Sequence, residues 1–79
     1  MDLSQAIRIR INNLINERNL NVSKLSTMAG ISRTTLSKFL LGQRKYLRID
    51  ILEYICEGLN IKLKDFFDDK IFENIEAKG

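Results

Sequence analysis

Apolar residues recur along this chain at helical spacing, not in the alternation of a strand. Ile7, Ile11, Leu14 and Ile15 share one side of a first stretch. They predict a helix from near Ser4 to about Asn19, with Leu20 closing the core beneath the following turn. Asn21 then suits the N-cap of a second helix over Val22–Ala29. Gly30 ends that helix where a residue free to take positive φ is wanted. Ser32, whose hydroxyl can accept an orphan backbone N–H, caps a third helix from Arg33 to about Leu41. Gly42 stops it, and Leu25, Ala29, Ile31, Leu36 and Phe39 supply a core shared by the second and third helices.

Beyond a loop from Gln43 to Arg48, a fourth helix is predicted from about Ile49 to Leu59, burying Ile49, Leu52, Ile55, Cys56 and Leu59. Asn60 can take the left-handed conformation that ends it. A last helix is expected over Leu63–Asp69, with Ile71 to Ile75 continuing or fraying from it. The predicted fold class is all-α, five helices in a single domain spanning 1–79, with a core of about residues 4–69 and a C-terminal extension over 70–79.

Composition narrows the chemistry. The chain has no histidine, which removes the usual general base of hydrolytic triads and the commonest metal ligand. Its four glycines are too scattered for a phosphate-cradling loop. Asp68, Asp69, Glu73 and Glu76 lack the glycine-punctuated spacing of a calcium loop and read as a solvated acidic tail. No catalytic residue, metal or cofactor is therefore expected, and with no effector-binding domain after residue 79 no small-molecule ligand is expected either. One cysteine cannot form an internal disulfide, which fits a reducing cytoplasm, and Cys56 reads as a small buried hydrophobe. No apolar run approaches the ~20 residues that span a bilayer. Met1-Asp2-Leu3-Ser4 lacks the basic-then-apolar layout of a signal peptide.

Charge is unevenly placed. Residues 1–48 carry nine Lys/Arg against two Asp/Glu, a balance of +7, and residues 49–79 carry four against eight, a balance of −4. Arg8 and Arg10 read as solvated charges on the outer side of the first helix. The basic half coincides with two short helices joined by a tight turn, the second of which presents Arg33, Thr34, Ser37 and Lys38 outward. Such side chains suit phosphates and base edges in a major groove, the chemistry of a DNA-binding helix-turn-helix.

The run Leu25-Ser26…Gly30-Ile31-Ser32-Arg33-Thr34-Thr35-Leu36-Ser37…Gly42 resembles the helix-turn-helix of the phage Cro/repressor type, the Xre-like family. Ile49…Leu52…Ile55-Cys56…Leu59-Asn60-Ile61…Leu63…Phe66-Phe67 follows at that family's distance, so the resemblance covers about Ile7 to Phe67. It implies a five-helix, lambda-repressor-like domain of prokaryotic or phage origin whose third helix enters the major groove of double-stranded DNA. It further implies base contacts from Arg33, Thr34, Ser37 and Lys38, and phosphate contacts from Ser23, Thr35, Arg44, Lys45 and Arg48. Three positions depart from the family pattern. Val22 stands where many members carry a phosphate-binding Gln, leaving Ser23 and the helix N-terminus to hold that phosphate. Ser26 replaces the usual Ala at a close helix approach, and Leu40 and Leu41 stand where charged residues are common.

The apolar C-terminal set Phe66, Phe67, Ile71, Phe72 and Ile75 exceeds what a small core needs. Phe66 is expected to point inward and Phe67, Ile71 and Phe72 to form a homodimer contact, with Leu40, Leu41 and Tyr46 as another available surface. The resulting expectation is a sequence-specific transcriptional regulator, a repressor on an inverted-repeat operator. Two alternatives use the same domain: an antitoxin or restriction-modification controller, and a protein-interaction module that does not touch DNA.

Overall fold

The computed structural model describes residues 1–76, and residues 77–79 of the expected C-terminal extension lie outside the described part. The described elements are α1 (Leu3–Glu17), α2 (Val22–Ala29), α3 (Arg33–Leu40), α4 (Ile49–Leu59), α5 (Leu63–Phe66) and a 3-10 helix (Lys70–Asn74). No strand is present among the described residues, so the architecture is all-helical, as the periodicity implies. α2 packs across α4 and α3, α1 closes the other side against α3 and the 3-10 helix, and α5 follows α4. One cluster holds most of the buried apolar side chains, built from Ile11, Leu14, Leu25, Leu36, Phe39, Leu52, Ile55, Leu59, Phe66 and their neighbours.

The helices start where side chains can answer their free N–H groups. Asp2, two residues before the expected start, forms a reciprocal capping box with Gln5: Gln5 N–H donates to Asp2 Oδ1 at 2.8 Å and Asp2 N–H to Gln5 Oε1 at 2.9 Å. Asn21 Oδ1 accepts from Lys24 N–H at 2.7 Å, and Ser32 Oγ from Thr35 N–H at 3.4 Å, both at the predicted caps.

Four helices end by the same backbone device. At each end a residue with positive φ (Asn19, Gly30, Gly42 or Asn60) reverses the chain. The next residue's N–H then reaches back five positions: Leu20 to Ile15 O, Ile31 to Ser26 O, Gln43 to Lys38 O and Ile61 to Cys56 O, all at 2.9–3.0 Å. These are Schellman closures, which satisfy carbonyls that the helix leaves without partners.

Arginines on α1 answer further carbonyls, contrary to the expectation that Arg8 and Arg10 are merely solvated. Arg8 Nε donates to Phe39 O at 2.6 Å, with its guanidinium 4.7 Å from the Phe39 ring centre. Arg10 donates to Phe66 O at 2.8 Å and Asp65 O at 3.1 Å, and pairs with Asp69 at 3.2 Å. Arg18 donates to Leu59 O. α1 and its C-cap residue Arg18 thus place one cation at the C-terminal end of each of α3, α5 and α4, where the helix dipole favours positive charge.

Two further expectations are corrected. Ile49 is 72% exposed rather than buried. It opens α4 beyond the packed face of Leu52, Ile55, Cys56 and Leu59, and Leu47 of the preceding loop packs at that edge of the core. The last helix stops at Phe66, short of Asp69, because the backbone bends at Phe67 and again at Asp69, which caps the 3-10 helix by accepting from Ile71 N–H at 2.9 Å.

Gly58 permits a close approach of α4 to α2. A Cβ there would stand 2.9 Å from Met28 C, Met28 O and Ala29 N, which is backbone that cannot swing aside. Ser26 is buried on the same helix as Met28 and Ala29, and its hydroxyl donates to Ser23 O at 2.7 Å, so its polarity is satisfied inside α2. Cys56 is a buried free thiol, and burial raises its pKa above the ordinary 9.0 against a smaller opposing effect of the Arg10 charge.

Gly58→Ala should destabilise the fold by roughly 1–3 kcal/mol through overpacking, despite alanine's better helix propensity. A lower midpoint in urea unfolding checks this; a raised midpoint removes the close approach from the account. Arg10→Ala should cost about 2–3 kcal/mol, and Arg10→Lys should recover only part, because an ammonium cannot reach both carbonyls and Asp69 in one plane.

Candidate nucleic-acid interface

α2 and α3 form a helix-turn-helix whose geometry follows from local chemistry. Gly30 at φ +68° reverses the chain, Ile31 tucks against the core, and Ser32 restarts the helix at once. Leu36 and Phe39 point inward and are fully buried. The opposite face of α3 is thereby committed to solvent. Arg33, Thr34 and Lys38 are exposed there, and Thr35 and Ser37 are half-buried.

The structure brings Arg33, Thr34, Ser37 and Lys38 together around one open concavity of about 330 Å³. Gln43, from the loop that follows α3, completes the lining. The lining therefore mixes two cations with hydroxyl and carboxamide groups and includes no carboxylate. This inventory can donate to phosphates and to the acceptor edges of bases, while the hydroxyls and carboxamide can also accept.

The expected phosphate set is spread around this centre. Ser23 is exposed in the first turn of α2, and its carbonyl holds the hydroxyls of Ser26 and Thr27, the latter at 3.1 Å. Thr35 sits in the first turn of α3, with its N–H on Ser32 Oγ. Arg44 and Lys45 are exposed in the α3–α4 loop. The Lys45 ammonium lies 5.4 Å from the Tyr46 ring centre, a cation–π approach that restrains its stem. Arg48 is exposed but engaged, pairing with Asp50 at 2.6 Å. Such an exposed pair is worth no more than about 1 kcal/mol, so a phosphate can compete for the guanidinium.

Of the C-terminal apolar residues, Phe66 is fully buried, as expected. Phe67 and Phe72 are partly buried against the core, with ring centres 4.9 Å apart, and Ile71 is partly buried beside them. Leu41 is far more open at 70% exposure, as are Tyr46 and Ile49, whereas Leu40 packs on the core.

Among the described residues no three His, Cys, Asp or Glu side chains gather as a metal site, and no helix is long and apolar enough to cross a membrane.

Comparison with known proteins agrees with this geometry. The model of the Cro/C1-type HTH DNA-binding domain matches residues 10–70. The chain is also 33% identical over 63 residues to the uncharacterized HTH-type transcriptional regulator YozG of Bacillus subtilis (strain 168), covering 80% of this chain and 75% of that protein. No solved structure matches. Four-fifths of the sequence, the cap-turn-cap joint between α2 and α3 and the outward basic face of α3 lead to one assignment: this chain belongs to the Cro/C1-type helix-turn-helix DNA-binding family.

Proposed function

We propose that this protein is a transcriptional repressor that binds an inverted-repeat operator as a homodimer and acts by occluding a promoter. The observation that carries the reading is the shared concavity of Arg33, Thr34, Ser37 and Lys38 on the exposed side of α3. In a major groove, Arg33 donates both guanidinium nitrogens to guanine O6 and N7, Thr34 meets a thymine methyl, and Ser37 and Lys38 reach neighbouring base edges. Ser23, Thr35, Arg44, Lys45 and Arg48 hold phosphates on either side, which fixes register and makes affinity depend on salt. The likeness to an HTH-type transcriptional regulator supports the regulatory role. The reading requires neither cofactor nor small-molecule ligand and places the protein on DNA in the cytoplasm.

Dimerisation is assigned to the outer faces of Phe67, Ile71 and Phe72, three apolar side chains that the core covers only in part. A two-fold axis there sets two α3 helices about one DNA turn apart, roughly 34 Å, which makes the operator an inverted repeat. The greater exposure of Leu41, Tyr46 and Ile49 favours a second surface, and substitution separates the two.

Arg33→Ala should weaken binding to a selected operator by roughly 1–3 kcal/mol and relax choice at one position of each half-site. Lys45→Ala should weaken all sequences alike and reduce the slope of log affinity against log salt by about 0.9. Equal, sequence-blind losses for both variants would remove the base-reading role. For the dimer, Ile71→Glu should yield monomers in sedimentation and lower operator affinity about 10- to 100-fold, with Leu41→Glu and Ile49→Glu unchanged. The reverse pattern moves the interface to the α3–α4 loop.

A further inference from the structure

Four Schellman closures in one small protein allow the residue after each reversal to be compared. In this motif that residue ordinarily makes an apolar contact with the helix it has just left. Leu20, Ile31 and Ile61 do so, each partly buried against the core. The fourth is Gln43, which is polar and exposed and lines the concavity with Arg33, Thr34, Ser37 and Lys38. The closure of α3 needs nothing from this side chain. Gly42 supplies the reversal at φ +79°, and the bond to Lys38 O comes from the Gln43 backbone N–H at 2.9 Å. Arg44 N–H donates to the same carbonyl at 3.1 Å, so the backbone on both sides of the Gln43 side chain is tied to Lys38. Among the described residues, the Gln43 carboxamide makes no hydrogen bond of its own.

We propose that Gln43 is an additional base-reading residue whose carboxamide specifies an adenine next to the bases read by α3. The proposal rests on the DNA-binding reading above and names a determinant within it. A carboxamide holds one acceptor and one donor in a plane, the complement of adenine's N6 donor and N7 acceptor. Guanine offers two acceptors on the same edge, so it can satisfy only the donor half. The anchored backbone limits the freedom lost when this side chain is held in the groove. α3 supplies its reading side chains from Arg33 to Lys38; Gln43, beyond the reversal, extends the footprint past the helix C-terminus.

Selection from randomised duplex DNA with the full chain and with Gln43→Ala and Gln43→Arg tests the proposal. The unaltered chain should enrich adenine at one position of each half-site, by roughly 5- to 150-fold over the least favoured base. Gln43→Ala should lose that preference alone, and Gln43→Arg should convert it to guanine. Both variants should keep the urea midpoint, because the closure uses only backbone. A Gln43→Ala profile identical to that of the unaltered chain overturns the proposal and leaves the DNA reading standing. Uniform weakening across all sequences also overturns it, by making Gln43 a phosphate contact. No enriched motif with the unaltered chain overturns the sequence-specific DNA reading and this inference together.

Discussion

A helix end must dispose of its last carbonyls, and in this protein that requirement organises everything else. Apart from the longer connection between α3 (Arg33–Leu40) and α4 (Ile49–Leu59), the helices follow one another within three or four residues, so each must stop and reverse almost at once. Burying an unpartnered carbonyl costs about 1–3 kcal/mol, a large fraction of the stability of a domain this size. Two sets of donors meet the need. Backbone N–H groups close α1, α2, α3 and α4 after Asn19, Gly30, Gly42 and Asn60, and arginines from α1 reach the ends of α3, α4 and α5. The reversals set where each helix begins its return, and the arginines then lock α1 across the assembled ends.

From those reversals comes the posture of the helix-turn-helix. Gly30 and Ser32 leave a single residue, Ile31, between the two helices, and Ile31 is drawn against the core. α3 has no choice of face once Leu36 and Phe39 are buried. α2 is held in turn by Gly58 of α4, where a side chain would meet the backbone of Met28 and Ala29. The outward basic face of α3 is thus positioned by contacts on its far side, none of which involves Arg33 or Lys38 themselves.

Much of this was legible in the sequence, because the signals were local. Asn21, Ser32, Gly30, Gly42 and Asn60 each announce a cap or a reversal within a few residues of themselves, and the structure uses every one as expected. The outward set on α3 followed from helical periodicity in the same way. What escaped was long-range. Arg8, Arg10 and Arg18 bond to carbonyls 31, 56 and 41 residues away, and a carbonyl leaves no residue-type signature to be matched. Periodicity also puts Ile49 on the core face, but it is the first residue of α4 and stands 72% exposed while Leu47 and Leu52 pack on the core. Gln43 was hidden by its charged neighbours; the local cue was its polarity at a closure position that is apolar in the other three helices.

The arginine assignments change the meaning of the charge asymmetry. The basic half owes +7 to nine cations, of which Arg8, Arg10 and Arg18 are held against helix-end carbonyls and, for Arg10, Asp69. Those that remain, Lys24, Arg33, Lys38, Arg44, Lys45 and Arg48, lie between the first turn of α2 and the start of α4. Net charge counted by halves therefore understates how closely the remaining cations are grouped. A field concentrated on one segment orients an approaching polyanion as well as attracting it. The same segment carries the turn chemistry in its backbone, through Gly30, Gly42 and the N–H groups that follow them. Stability and recognition thus occupy the same stretch of chain through different atoms. Substitution at Arg33, Thr34, Lys38 or Gln43 can alter what the surface reads while leaving the bonds that close the helices intact.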